Sequence, residues 1–415
     1  MVEEKKKTMT KSLERFIVSH PTGNTFVRAL LNQLNNQNQL GNFFTTIGAG
    51  EGANPWIAFS CRERQYAIPD KKISRQWMPE FTRLLSKGDQ TKKRQRVDQV
   101  YLHMDQKVSK KLGSLNSQVL HAYEDGCFSS FARAKEFGMQ CSYELPIAHW
   151  ATVRRLLAEE ADRYPEWEPT LESTREPEEK LFRKEEELRL ADRITCPSQF
   201  VLESIPLEIK QKTPCQISPF GSPPCEHFDF DPSSKCDSLR LLFVGSMSQR
   251  KGLADLFEAM KLLKGEPISL SILGQPSMPM EFYRKQFSEF AYFPPCSNQK
   301  VRETMKAHDA LVLPSIVEGR ALVQQEALSC GLPILVTPNA GGEDLVKEGI
   351  TGHIVPIRSP EKIAEAISTL LANRNNKEGI QKLCQKKAMQ YTWPGYAQNI
   401  IDFNLSNHAQ RLEIA

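Results

Sequence analysis

Two glutamates eight residues apart, Glu318 and Glu326, and an adjacent cation pair, Arg250 and Lys251, are the side chains here best suited to a ligand carrying hydroxyls and phosphates. A carboxylate can accept hydrogen bonds from neighbouring hydroxyls, such as those of a sugar or a ribose. An arginine beside a lysine suits the roughly two negative charges of a diphosphate, because charge-assisted hydrogen bonds are about twice as strong as neutral ones. Arg320, two residues after Glu318, has the chemistry to recognise an acidic group on the same ligand. Each residue also has an ordinary reading: Glu318 as a solvated loop residue, Glu326 as a helix former, the three cations as exposed surface charge.

The elements around them decide how much the chemistry counts. Ala310 to Leu313 is an apolar run short enough for a buried strand, ended by Pro314 and Ser315 and turned by Glu318 and Gly319. The pattern predicts a helix over Leu322 to Cys330, stopped at Gly331, and a second strand over Ile334 to Val336. Strand, loop, helix and strand make one βαβ unit of a parallel sheet. Ligands of such sheets bind outside the carboxyl ends of the strands, which is where Glu318 falls. The backbone N–H groups of Ala321, Leu322 and Val323 open the helix and suit a phosphate. Glu326, further along the helix, suits a second diol such as a ribose. Arg250 and Lys251 fall in a similar loop, between a predicted strand ending at Gly245 and a helix starting near Leu253. A further strand, Leu270 to Leu273, ends at Gly274.

The first half reads as another α/β unit. Arg15 to Ser19 is a predicted strand, His20 to Asn24 a tight loop, and Thr25 to Leu34 a helix with Phe26, Leu30, Leu31 and Leu34 on its apolar face. Gly23 would let backbone approach a ligand closely, or simply make the turn. A strand over Phe43 to Ile47 leads to a loop with Gly48, Gly50 and Gly52, but no Gly-Lys-Ser/Thr follows, so it is not a P-loop. The segment 117–126 delivers His121, Tyr123, Glu124 and Asp125 toward a helix over Ser129 to Phe137; His121 is either an active-site group or a core histidine. Met139 to Leu145 is another strand. Residues 150–190 read as a long, charged, solvated helical region. Basic residues crowd 83–111, including Lys87, Lys92, Lys93, Arg94 and Arg96; they form a solvated face or a contact with an anionic membrane surface.

A chain of 415 residues with 40% hydrophobic and 25% charged residues is too long for one ordinary core, and two domains are expected. A net charge of +4 gives no general nucleic-acid role. Ten cysteines without metal-type spacing, an N-terminus without an apolar signal and the lack of a long apolar run point to a reducing cytoplasm. No G-x-G-x-x-G follows a strand, which argues against a NAD-dependent dehydrogenase.

The run PSIVEG-x6-EALSCGLPILVTPNAGGEDLV-x4-TGHIVP, from Pro314 to Pro356, resembles the donor-binding signature of the GT-B glycosyltransferases called family 4, or group 1. Residues 190–400 resemble the family well and 15–150 weakly. The segment from Ala191 to Val201 is similar to the family's A-D-x-V-x-x-x-S-x-F-V, and Phe220-Gly221 to its interdomain turn. The resemblance implies two Rossmann-like domains with parallel sheets facing a central cleft. It divides them as 1–215, joined by a C-terminal helix from 395–415, and 216–394. It implies a retaining transfer of sugar from a UDP- or GDP-sugar to the hydroxyl of a sugar, glycan or lipid-linked acceptor. No metal and no other cofactor are expected, and no Asp-x-Asp of metal-dependent relatives is present. By the resemblance, Lys251 with Arg250 holds the diphosphate, Glu318 the sugar hydroxyls and Glu326 the ribose. Gly245, Ser246 and Gly274 line the donor site, and Gly23 and Asn24 form the first loop against phosphates and acceptor. Residues 291–296 frame the base. Relatives carry a histidine facing the transferred sugar; His121 and His149 are the candidates. A nucleotide-sugar epimerase or hydrolase, and a silent GT-B binding protein, are the alternatives.

Overall fold

The computed structural model describes residues 14–84, 90–171, 175–225, 238–373 and 377–406. Lys87, part of the basic stretch, and most of the expected linker lie outside the described residues, as do 1–13 and the last nine. Contacts divide the chain into two compact units: residues 1–144, 183–194 and 397–415, and residues 145–182 and 195–396.

The first unit is built on parallel strands β1 (Phe16–Ser19), β2 (Leu40–Thr45), β5 (Ile73–Arg75), β6 (Val119–Tyr123) and β7 (Gln140–Glu144) in the order β5-β2-β1-β6-β7. A small parallel pair, β3 (Ala49–Glu51) and β4 (Gln65–Pro69), stands beside it. All of β1 is buried, as a continuous apolar run in a parallel sheet requires. Helix Thr25–Asn36 returns the chain by burying Val27, Leu30, Leu31 and Leu34, at i, i+3, i+4 and i+7.

The second unit takes up the chain along β8 (Arg193–Cys196), where the Ser218 N–H, just past β9 (Cys215–Ile217), donates to the Cys196 carbonyl. Its main sheet comprises β10 (Leu239–Val244), β11 (Ile268–Leu273), β12 (Phe290–Phe293), β13 (Ala310–Leu313), β14 (Ile334–Val336) and β15 (Gly352–Ile354). All six are parallel, in the order β12-β11-β10-β13-β14-β15. The chain therefore winds outward from β10 in one direction and from β13 in the other. Loops leaving these two neighbours diverge and open a crevice at their carboxyl ends. In the first unit, the same divergence falls between β1 and β6.

Two sequence expectations change. The region 150–190 is two helices, Trp150–Arg163 and Glu178–Leu190, separated by a short 3-10 stretch, Pro165–Thr170, and it is not simply a solvated face. Glu187 is fully buried and accepts the N–H groups of Asp125, Cys127 and Phe128, at 2.8, 2.9 and 3.2 Å, where helix Phe128–Glu136 starts. A carboxylate there caps an otherwise orphaned helix end. The expected boundary at 215 also differs from the division by contacts. Glu160, from helix Trp150–Arg163, is bound by Gln249 at 2.6 Å and by Arg358, and Arg163 meets Asp255 at 2.7 Å, so this helix groups with the second unit. The C-terminal helix, Trp393–Leu405, ends in the first unit, where Asn404 accepts a bond from Gln140 at 2.8 Å. Among the described residues, no helix is long and apolar enough to cross a membrane.

Candidate functional site

The crevice between β10 and β13 gathers three charged side chains. After β10, a 3-10 turn, Gln249–Lys251, carries both cations, and Gly252 at φ 73° ends it and begins helix Leu253–Leu262. A Cβ on Gly252 would stand 1.9 Å from the Pro314 carbonyl oxygen, so the turn packs directly on the end of β13. The N–H groups of Ile316 and Val317 donate to the Arg250 carbonyl, at 2.9 and 3.3 Å. The Arg250 guanidinium reaches back to the Val317 carbonyl, 2.9 Å, and to Glu318 Oε1, 2.7 Å. Lys251 Nζ lies 2.5 Å from the same oxygen.

Glu318 is 9% exposed, so this is a largely buried triad of two cations on one carboxylate. Burial favours neutral Glu318, but Lys251 and then Arg250 outweigh it and hold the carboxyl below its ordinary range. Burial likewise lowers the Lys251 ammonium despite the opposing pull of Glu318. The triad keeps an excess positive charge at the crevice, and two cations on a single carboxylate oxygen leave room for a second anion.

Gln249 positions this turn, and nothing in the sequence pattern singled it out. Fully buried, it donates to Glu160 at 2.6 Å and Asp255 at 2.8 Å, and its carbonyl accepts the Ala254 N–H at 2.8 Å. Its own N–H donates to Thr170 Oγ1 at 3.1 Å. A side chain with its polar groups committed in this way holds the neighbouring cations in place without touching a ligand.

Gly245, Ser246 and Gly274 come together beside the turn. The Gly245 N–H donates to Leu273, and a Cβ on Gly274 would stand 1.7 Å from the Gly245 carbonyl oxygen. Ser246 Oγ is 3.2 Å from Ser248 Oγ. Helix Leu322–Ser329 starts where the sequence predicts. Glu326 is half-buried on it, and burial raises its carboxyl above the usual value, with Arg302 opposing. Among the described residues, no hydrogen bond reaches that carboxylate.

Four candidates are corrected. The Ala321 N–H donates to the Ala340 carbonyl at 3.2 Å, which leaves Leu322 and Val323 to offer N–H groups at this helix start. Arg320 is no exposed ligand-seeker. It is buried, paired to both Asp344 oxygens at 2.6 and 3.0 Å and stacked over Tyr391, an internal clamp. Gly23 gives its N–H to Tyr66 Oη at 3.2 Å, and the tyrosine ring fills the space a Cβ would need, so this glycine makes room for an aromatic side chain. His121 is completely buried in β6, with Nδ1 2.9 Å from Ser142 Oγ and Nε2 3.3 Å from Glu144 Oε2. The ring has no exposed surface, so the structure places His121 in the core of β6.

Asn24 caps helix Thr25–Asn36 through its backbone. His149 caps helix Trp150–Arg163 with its side chain, its Nδ1 accepting the Ala151 N–H at 3.4 Å. The sequence also drew no attention to His20, directly after β1. Its Nδ1 accepts the Thr22 N–H at 3.0 Å, and burial lowers its pKa to about 4. The neutral ring therefore carries its proton on Nε2, at the strand crossing of the first unit.

Residues 226–387 match the family described as glycosyl transferases group 1, and they hold the triad and helix Leu322–Ser329. A D-inositol 3-phosphate glycosyltransferase of Paenarthrobacter aurescens is 28% identical over 168 residues, covering 38% of this chain and 41% of that protein. An uncharacterized glycosyltransferase of Methanocaldococcus jannaschii is 25% identical over 173 residues, 40% of this chain and 44% of its own length. The match thus spans less than half of these relatives. Among solved structures, sucrose-phosphate synthase from Thermosynechococcus elongatus has a TM-score of 0.61 at 16% identity, covering 94% of this chain and 98% of that one. Anabaena HepE in complex with UDP has a TM-score of 0.60 at 12% identity, covering 94% and 99%. The fold is that of the GT-B glycosyltransferases.

Proposed function

We propose that this GT-B protein is a retaining glycosyltransferase, moving a sugar from a UDP- or GDP-sugar to an acceptor hydroxyl. The observation that carries the reading is the Glu318–Arg250–Lys251 triad at the carboxyl ends of β10 and β13. Its cations match a diphosphate and its carboxylate matches sugar hydroxyls. Support also comes from the relatives: HepE has been solved with UDP and with UDP-glucose, and several relatives in sequence are glycosyltransferases by name.

As the bond from the sugar's C1 to the leaving phosphate oxygen breaks, negative charge grows on the diphosphate. Arg250 and Lys251 are already fixed beside Glu318 and stabilise that charge without reorganising. The acceptor oxygen bonds to C1 on the same face, and its proton passes to the departing phosphate, so no separate side-chain base is needed. Leu322 and Val323 offer N–H groups to phosphate, and Glu326 accepts from the ribose hydroxyls. In this scheme side chains take the role that a metal fills elsewhere. The acceptor is a sugar, a glycan or a lipid-linked molecule. The described cysteines, all free thiols, suit a reducing cytoplasm.

The test is a thermal-shift screen of UDP, GDP, ADP and their common sugars, repeated with Glu326→Ala. One nucleotide should raise the melting point, and the variant should lose that shift. No shift with any nucleotide would count against the reading and favour a silent scaffold.

A further inference from the structure

A second surface, in the first unit, stands outside this chemistry. Helix Pro55–Ser60 buries none of its residues, yet carries Trp56 at 80% exposure and Phe59 at 71%. Helix Trp77–Leu84 exposes Trp77, Met78 (71%) and Phe81 (60%). Five of the fourteen exposed large apolar side chains among the described residues therefore fall on two short helices. Single exposed apolar residues need no explanation; a group of this kind does.

The two helices are built to present these side chains. Asn54 accepts the Trp56 N–H at 3.0 Å and Pro55 opens the helix, so the first is capped although it packs little. Gln65 donates to the Ala58 and Cys61 carbonyls at 3.0 and 3.1 Å, tying the following turn to that helix. From the same turn, Arg64 reaches Glu80 on the second helix at 2.8 Å, and Arg83 grips Glu80 at 2.7 Å. Glu80 is buried on the inner side, which leaves Trp77, Met78 and Phe81 outward. Helix Gln90–Lys111 packs against the second helix and begins with exposed Lys92, Lys93 and Arg94.

Charge identifies the occupant. Residues 54–96 hold eleven Lys or Arg against four Asp or Glu, a net +7, whereas the whole chain is +4. Arg64 and Arg83 share Glu80, Arg75 pairs with Asp70 and Lys72 with Glu14. Arg62, Lys71, Lys92, Lys93 and Arg94, however, are exposed against exposed Glu63, so a second copy of this chain would bring the same excess of positive charge to the contact and be repelled. Trp and Phe among lysines and arginines match the region between headgroups and acyl chains of an anionic bilayer. We propose that this surface seats on anionic lipid: Trp56, Phe59, Met78 and Phe81 enter the interface, and the basic residues beside them meet the headgroups. The proposal is independent of the sugar-transfer reading.

The test is co-sedimentation of the full-length protein with vesicles of phosphatidylcholine alone, or of equal parts phosphatidylcholine and phosphatidylglycerol, at low and high salt. The protein should pellet with the mixed vesicles, less so at high salt, and not with phosphatidylcholine alone. Trp56→Ser with Phe59→Ser should weaken binding by about tenfold or more at an unchanged melting temperature. Lys92→Glu with Lys93→Glu should weaken it and flatten the salt dependence. Three results would overturn the proposal: the wild type staying in the supernatant, the aromatic variant pelleting like the wild type, or a lipid-free dimer that this variant abolishes. The dimer would assign the surface to a second copy.

Discussion

Glu318 pairs with two cations at once and leaves one positive charge over, so a diphosphate binding at Arg250 and Lys251, as proposed, would meet groups that already share a partner. The pair and the ligand are therefore coupled, and removing the carboxylate exposes the coupling. We predict that Glu318→Gln lowers stability at neutral pH by about 3 kcal/mol, because two largely buried cations lose their counter-charge. The pH arm has a definite sign. A carboxyl held low in the folded state adds stability above its unfolded pKa of about 4.3, and that stability is lost as pH falls through the lower folded value. The variant should therefore show a flatter acid limb in urea melts from neutral to acid pH. UDP or GDP, whichever binds, should raise its melting temperature more than the wild type's, since the diphosphate supplies the missing anion. An equal or smaller rise would remove the cations from the diphosphate site. At this scale, the three residues could be singled out because charge type and loop position are local properties, whereas their meeting on one carboxylate oxygen could not be read. Arg320 was misread because its partner, Asp344, lies 24 residues on, and both readings of His121 stayed open because burial within a strand depends on the neighbouring strands.

The strands and helices that carry these residues were easier to read. Ala310 to Val336 unfolds into strand, helix and strand within a residue or so of expectation, since short apolar runs and Gly331 mark its joints. The charged region 150–190 was not, because i,i+4 charge pairs look alike on a solvated helix and on one whose Glu187 caps another helix. The least visible device is the 3-10 turn itself. Gln249 bonds to Thr170, Glu160, Asp255 and Ala254, a set drawn from three parts of the chain that no local pattern links. Gln249→Ala would leave Glu160 and Asp255 short of a donor and should cost about 3 kcal/mol. Because the turn carries both cations, the variant should also lower kcat more than it raises KM, read by steady-state kinetics at a temperature where it remains folded. A normal kcat in a destabilised variant would make Gln249 a purely structural residue.

At the scale of the molecule, the two parallel sheets and the return of the C-terminal helix were foreseeable, and the assignment of residues 145–215 between units was not. That segment is ordered by Glu160 and Arg163 and by their partners after β10 and β15, contacts that span roughly a hundred to two hundred residues. The family match covers residues 226–387, within the second unit, which is why the proposed donor chemistry is better specified than the acceptor. The direct test of the central claim is therefore a turnover measurement. Release of nucleoside diphosphate from the sugar donor that binds would be followed with and without acceptors, in wild type and Lys251→Ala. Sugar transfer through the triad predicts release that depends on acceptor, and a fall of about 10²–10³-fold in kcat for Lys251→Ala. Release that ignores the acceptor, or a Lys251→Ala enzyme as fast as the wild type, would contradict it.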